Sequence, residues 1–222
     1  MLAAALHLAA TDPDGMMLVA PSDHVIPDTD IFNATVAAAI PAALAGQLVT
    51  FGINPDRPET GYGYLELDAA PSGEATPVPL KSFVEKPDAD TAATMLTEGR
   101  YLWNVGIFLF SVPTIVAAFN THAPDMIKAV QASLDAAKSD LGFTRLDPAA
   151  WDAAQAMSID YAVMEKASNL SVVPFCDPLL LRISLFLISI PKAFWCFYLG
   201  KRYALDEGYK SRFISRACMS RY

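Results

Sequence analysis

An α/β fold is what this sequence predicts, on three observations. Two short apolar runs, Met16–Ala20 and Leu48–Ile53, have strand length and end in turn residues. Helix-length segments with cap and stop signals lie between them. The two kinds of segment alternate, which argues for a parallel sheet with crossover helices. At 222 residues the chain can form one domain that buries roughly 70–75% of its unfolded surface.

Each element has its own reason. Leu2 to Ala10 is rich in Ala and Leu, hence helix-prone, and stops at Asp12-Pro13-Asp14-Gly15. Met16 to Ala20 is apolar without alternation, as in a strand buried on both faces. Asp30 to Ala45 reads as a helix ended by Gly46, and Leu48 to Ile53 as the next buried strand. Arg57 to Tyr64 is a turn-rich loop. Tyr64–Leu67 and Val78–Val84 read as strands around a polar turn at 69–77. Asp88 to Gly99 is predicted as a helix and Trp103 to Phe110 as a strand. Helices are expected over Val112–Phe119 and Ala123–Lys138, with a short one over Ser158–Lys166. Ser171 to Pro174 reads as an edge-like strand. No internal repeat or low-complexity linker occurs before residue 176.

Composition splits the chain. Residues 1–176 hold 8 Lys and Arg against 21 Asp and Glu, near -13, whereas 177–222 hold 8 against 3, near +5. The net charge of -8 argues against binding nucleic acid, which needs cations against phosphate. Cys176, Cys196 and Cys218 sit at or beyond the break. They show neither metal-site spacing nor an even count for a disulfide framework. Met1 to Ala10 has no basic stretch before its apolar run, so it does not read as a signal peptide, and a cytoplasmic location is expected.

Five constellations carry candidate chemistry. Pro21-Ser22-Asp23-His24 follows a strand, where open α/β sheets bind ligands, and one Asp there suits Mg²⁺ shared with phosphate oxygens. A plain Asx turn is the commoner use of such an Asp. In Pro58-Glu59-Thr60-Gly61-Tyr62-Gly63-Tyr64 the paired glycines allow close backbone approach, or simply make a loop. In Phe83-Val84-Glu85-Lys86-Pro87, Lys86 could neutralise a phosphate and Glu85 accept from sugar hydroxyls; a solvated ion pair is the plainer reading. Trp103-Asn104-Val105-Gly106 offers an amide suited to a hydroxyl pair, or to strand-end backbone groups. In Ser158 to Lys166, residues Ile159, Ala162, Val163 and Lys166 fall at helical spacing, which favours core packing. His7 and His122 read as structural, and neither a nucleophile–His–acid set nor an HExxH motif is found.

The order PSDHVI, PETGYGY, FVEKP, WNVGIFLF, SIDYAVMEK resembles the bacterial mannose-1-phosphate guanylyltransferases over residues 1–175. The resemblance implies a Rossmann-like three-layer α/β nucleotide-sugar transferase core. It implies attack of mannose 1-phosphate on the α-phosphate of GTP, giving GDP-mannose and pyrophosphate with Mg²⁺ as cofactor. Such transfer relies on positioning and charge stabilisation. By the same resemblance Asp23 is a Mg²⁺ ligand and, with Lys86 facing the sugar phosphate, catalytic. Gly63, Glu85 and Asn104 contact the mannose. The expected partners are GTP and mannose 1-phosphate.

The departures shape the remaining expectations. The family opens on a Gly-rich loop that cradles the triphosphate, and nothing like it occurs here. The expected core therefore lacks the N-terminal Gly-rich β-α-β unit. A second metal-binding Asp follows the family's VVP strand; here Val172-Val173-Pro174 runs into Phe175-Cys176-Asp177-Pro178, which does not match. Val105 stands where the family usually has Ser. Residues 1–176 are thus read as a partial nucleotidyltransferase domain and 177–222 as a divergent apolar and basic tail, misframed or fused. Leu179 to Gly200 is long enough to span a bilayer, but Arg182 and Lys192 oppose insertion and membrane contact is not expected. A missing strand would expose a sheet edge, so a homo-oligomer is one expectation. Two alternatives stay open: a non-catalytic sugar-phosphate-binding fragment, and a nucleotidyltransferase for another hexose 1-phosphate.

Overall fold

The central sheet is organised around one long strand. The computed structural model describes residues 1–21, 24–141, 143–175, 182–183 and 194–199. In chain order the elements are α1 (Leu2–Thr11), β1 (Met16–Pro21), β2 (His24–Val25), α2 (Thr29–Leu44), β3 (Leu48–Ile53), β4 (Gly63–Glu66), β5 (Val78–Pro79) and β6 (Ser82–Glu85). There follow α3 (Ala89–Glu98), β7 (Tyr101–Ser111), α4 (Val112–His122), α5 (Pro124–Asp135), β8 (Lys138–Asp140), β9 (Phe143–Arg145) and α6 (Pro148–Asp152). A π-helical turn at Asp160–Met164, then β10 (Leu170–Pro174), β11 (Arg182–Ile183) and β12 (Phe194–Leu199), complete the series.

The main sheet runs β12-β1-β7-β3-β10-β5, with β4 joining β7 and β6 joining β4. β1 and β3 are both antiparallel to β7, and β3 is parallel to β10. The sheet is therefore mixed, where the alternation of elements predicted a parallel one. The reason is connectivity. Helix α2 carries the chain from β1 to β3 in the same direction, and β7 enters between them from the β4–β6 hairpin and α3 in the opposite direction.

Two apolar layers sandwich the sheet. On one face α1, α4, α5 and the π-turn pack Leu2, Leu6, Ile115, Phe119, Val130 and Val163 against Met17, Phe108 and Phe110. On the other, α2 and α3 pack Phe32, Val36, Ala92 and Met95 against Leu18, Phe51, Tyr64 and Leu109. This is the expected three-layer core. Local signals set the helix ends: Asp28 caps α2 by accepting from the backbone of Asp30 and Ile31, and Asp88 caps α3 through Thr91. Gly99 ends α3 in the left-handed region.

Two other expectations are corrected. Val78–Val84 is not one strand: β5 pairs with β10 and β6 with β4, so the backbone turns between them at Leu80-Lys81. β10 is buried along its whole length and is not an edge strand: β3 pairs with one side of it throughout, and β5 pairs with the other side at Ser171 and Val172.

Candidate functional site

The polar site forms where two strands share one edge of β7. Strand β1 pairs with the C-terminal half of β7, through Val19 opposite Phe108, and β4 pairs with the N-terminal half, through Tyr64 opposite Trp103. Between these two pairings β7 bulges. Against β3 its register shifts by two residues between the pairs Thr50–Phe108 and Gly52–Asn104, and Gly106 takes φ +70°. Pro21, at the end of β1, lies close by: a Cβ on Gly106 would sit 3.5 Å from its ring. A ligand crevice where neighbouring strands part is the usual place for a site in an α/β sheet.

Register gathers four residues into one lateral row. Gly52 of β3 is opposite Asn104 of β7, and Gly63 of β4 is opposite Glu85 of β6. The β4–β7 register, carried one step past Tyr64–Trp103, brings Gly63 to Asn104. The two glycines flank Asn104, and neighbouring side chains fill the places where their Cβ atoms would sit: at Gly52 a Cβ would lie 2.8 Å from Leu102 Cβ and 3.1 Å from Val172. At Gly63 the space is already taken, since a Cβ there would lie 2.6 Å from a Glu85 carboxylate oxygen. The structure thus brings together Gly63, Glu85, Lys86 and Asn104, which sequence reasoning singled out. Asp23 lies outside the described residues.

Asn104 is held from behind. Its Oδ1 accepts from the Thr50 hydroxyl at 2.8 Å and from the Gly106 N–H at 3.2 Å, while its Nδ2 donates to Asp160 Oδ1 at 3.4 Å. Thr50 is fully buried, and its hydroxyl also lies 3.2 Å from the Ile107 carbonyl. The motif reading gave Asn104 both a donor and an acceptor to offer; here the acceptor is spent on the bulge and the donor side remains.

Lys86 closes the row. Its Nζ pairs with Glu85 Oε1 at 3.1 Å, and this hydrogen bond, more than any other influence, raises the ammonium pKa above its ordinary value. Its backbone sits at φ +48° ahead of Pro87 and donates to the Tyr62 carbonyl at 3.2 Å. A left-handed non-glycine residue carries strain, and such residues cluster at functional sites. The Glu85 N–H donates to Glu165 Oε1 at 3.3 Å.

Asp160 is the residue sequence reasoning passed over. Its segment was read as core packing, and Ile159, Ala162 and Val163 are indeed buried. Yet the Asp160 carboxyl faces the row, and its pKa is pushed up to about 6, first by burial and then by the Glu85 charge. Its own backbone, the Ser158 hydroxyl and Lys86 pull the other way. The one available signal was a carboxylate set within an apolar helical pattern.

On the opposite face the loop after β3 is clamped to the sheet. The Arg57 guanidinium lies 5.1 Å from the Trp103 ring centroid, and Tyr62 meets that ring edge-on at 5.2 Å. The Glu59 N–H donates to the Tyr64 hydroxyl at 2.9 Å. These contacts fix the backbone that leads into Gly63. Among the described residues no group of three or more His, Cys, Asp or Glu could hold a metal ion. No helix among them is long and apolar enough to cross a membrane.

Fold and site together define a class: a three-layer α/β domain with hydrogen-bonding and charged groups gathered where its strands part. The chain belongs to the nucleotidyl transferase family, whose profile matches residues 2–160. It is 44% identical over 175 residues to a mannose-1-phosphate guanylyltransferase of Escherichia coli (strain K12), with 78% of this chain and 36% of that protein covered. Over 171 residues it is 44% identical to the xanthan biosynthesis protein XanB of Xanthomonas campestris pv. campestris (strain B100), covering 77% of this chain and 36% of XanB. The chain thus spans about a third of the length of these curated relatives. Among solved structures it resembles a mannose-6-phosphate isomerase from Helicobacter pylori at TM-score 0.70 and 29% identity, covering 78% of this chain and 66% of that one. It also resembles a mannose-1-phosphate geranyltransferase from Thermus thermophilus at TM-score 0.65 and 30% identity, covering 78% and 48%.

Proposed function

We propose that the row Gly52–Asn104–Gly63–Glu85, with Lys86 at its end, is the sugar-phosphate half of a guanylyltransferase site. In this reading mannose 1-phosphate attacks the α-phosphate of GTP. A bond forms from the sugar phosphate oxygen to that phosphorus, the bond to the β-phosphate breaks, and pyrophosphate leaves with the electron pair. The observation that carries the reading is the row itself. Asn104 donates to a hydroxyl, Glu85 accepts from one, and Lys86 stands beside them for the phosphate. The name of the Escherichia coli relative, a mannose-1-phosphate guanylyltransferase, supports mannose 1-phosphate as the sugar substrate and a guanylyl group as what is transferred.

The chain's own groups bind and orient rather than exchange protons with carbon. Asn104 is pre-set by its bulge, so little reorganisation accompanies binding. Glu85 is half-buried against the Gly63 backbone, and Lys86 would exchange part of its pairing with Glu85 for the ligand's phosphate. The reading assigns Mg²⁺ to Asp23, where it would neutralise charge on the phosphates; one carboxylate with phosphate oxygens and water suffices for that ion. It also places the chain in the cytoplasm, with the nucleoside triphosphate pool.

The test is formation of GDP-mannose from GTP, mannose 1-phosphate and Mg²⁺ by the purified chain, alongside calorimetric titration with mannose 1-phosphate alone. Turnover that Asp23→Ala abolishes is the expected result. Binding lost in Gly63→Ala, with no turnover in the parent, would leave a sugar-phosphate-binding fragment. Neither binding nor turnover by a folded sample would end the proposal.

A further inference from the structure

We infer that Asp160 is a positioning residue of this site: with the Thr50 hydroxyl behind, its carboxylate holds the Asn104 amide nitrogen-outward, so Asn104 meets a ligand as a donor only. The ligand's identity rests on the sugar-phosphate reading; the orientation of Asn104 does not.

The bonding leaves one arrangement. The Gly106 N–H, 3.2 Å away, must find an acceptor, so the amide atom beside it is Oδ1. Turning the amide over would set an NH₂ group against that N–H, donor on donor. It would also set a carbonyl oxygen against the Asp160 carboxylate. The Thr50 hydroxyl has one proton, and Asn104 Oδ1 at 2.8 Å is nearer than the Ile107 carbonyl at 3.2 Å. With Oδ1 doubly engaged, Asn104 has only its second Nδ2 proton for a ligand. Asp160 Oδ1 lies 3.4 Å from that nitrogen, and the Glu85 charge acts on Asp160. The site so formed offers a donor beside the Asp160 carboxylate, with the Glu85 charge near enough to act on that carboxylate, a pattern that fits two neighbouring hydroxyls, one accepting from Asn104 and one donating to a carboxylate.

The arrangement depends on charge. Asp160 is faced by Asn104 from β7, by Glu85 and Lys86 from the end of β6, and by Ser158 from its own segment. Tyr161 adds to the field at Lys86, and Glu165 accepts from the Glu85 backbone. Burial and Glu85 both favour the protonated carboxyl, whose pKa is about 6. Below that pH the Asn104 amide loses its charged acceptor.

The experiment reads the Asn104 side-chain NH₂ signal of the full chain by ¹⁵N NMR, identified by its loss in Asn104→Ala, between pH 5 and 8. It then compares mannose 1-phosphate affinity in the parent, Asp160→Asn, Thr50→Val and Thr50→Ser. The signal is expected to titrate near pH 6 in the parent and not in Asp160→Asn. Affinity at pH 7.5 should fall roughly tenfold in Asp160→Asn and Thr50→Val, with Thr50→Ser restoring it, the size expected for one charged hydrogen bond. The sugar phosphate has its own ionisation near pH 6, so the parent-to-variant ratio at each pH is the quantity compared. A flat Asn104 signal in the parent, or unchanged affinity in both Asp160→Asn and Thr50→Val, overturns the inference. A titrating signal with no mannose 1-phosphate binding sinks the sugar reading alone and leaves the positioning role standing.

Discussion

Two carboxylates with opposite shifts separate what holds this molecule together from what it uses. Glu66 sits among donors: the Ser82 hydroxyl at 2.5 Å, Lys81 at 3.1 Å and the Arg100 guanidinium. The Ser82 hydrogen bond leads the causes that lower its pKa to about 2, so its charge favours the folded state. Asp160 is the reverse case, held up at about 6 against an ordinary value near 3.8. The folded state binds its proton more tightly than the unfolded chain does, so protonation favours folding. Its contribution is fully present below about pH 4 and is lost as pH rises through 6. Asp160→Asn, which cannot ionise, should therefore be more stable than the parent at pH 7.5, by about 3 kcal/mol at most, and by much less at pH 4.5. Urea unfolding at the two pH values measures this; an equal difference at both would remove the charge argument. The variant should gain stability where it loses affinity, the trade-off common at functional sites. Gly63, Glu85, Lys86 and Asn104 were legible as motifs because each stands beside its own Gly or Pro signal. Thr50 and Asp160 were not, because their roles exist only through contacts 54 and 56 residues away in the chain.

The β7 bulge does for an element what those contacts do for a residue. A regular β7 would keep its register with β3 and carry Asn104 away from Thr50. The two extra residues and the left-handed turn at Gly106 bring the amide back onto the backbone. Gly106→Ala places a Cβ in a conformation that L-residues avoid, at a cost of roughly 1–2 kcal/mol, although only Pro21 at 3.5 Å stands near it. Mannose 1-phosphate affinity should therefore fall in Gly106→Ala by more than in Gly73→Ala, a glycine of similar φ in the 69–77 turn with nothing near its Cβ position. Thermal unfolding should show similar losses for both. Equal affinities in the two variants would mean that the bulge does not set the site. Helix limits were readable to within a residue or two, as at Asp88 and Gly99 of α3, because such caps act within three residues; the Asp28 cap of α2 was not read. Strand neighbours were not, because pairing is decided by distant segments. β10 looked like an edge only until β5 was seen to pair with its other side at Ser171 and Val172.

At the scale of the whole molecule the sequence suggested a boundary at residue 176, from charge and cysteine placement, and the sheet crosses it. Strand β12 lies beyond that point and pairs antiparallel with β1 along its full length, from Met16–Leu199 to Pro21–Phe194. β1 is an interior strand by composition, with Met17, Leu18 and Val19 at most 1% exposed. Its other edge belongs to β7. Without β12 it would present a row of unpaired backbone groups on an apolar strand, the usual template for association between chains. We propose that residues 194–199 serve the first 176 residues as an edge strand, whatever the origin of the stretch that carries them. A chain ending at 176 should then unfold at lower temperature than the full chain. It should also run as dimers or larger species by light scattering, as an exposed apolar edge predicts. A shortened chain that stays monomeric with unchanged melting would show that β12 contributes nothing to the fold and that 177–222 is a separate tail. The edge argument predicts the opposite. From Met16 to Ala20 a strand as apolar as β1 has no charge or proline to keep a second chain away, and Pro21 interrupts the edge only at its last residue.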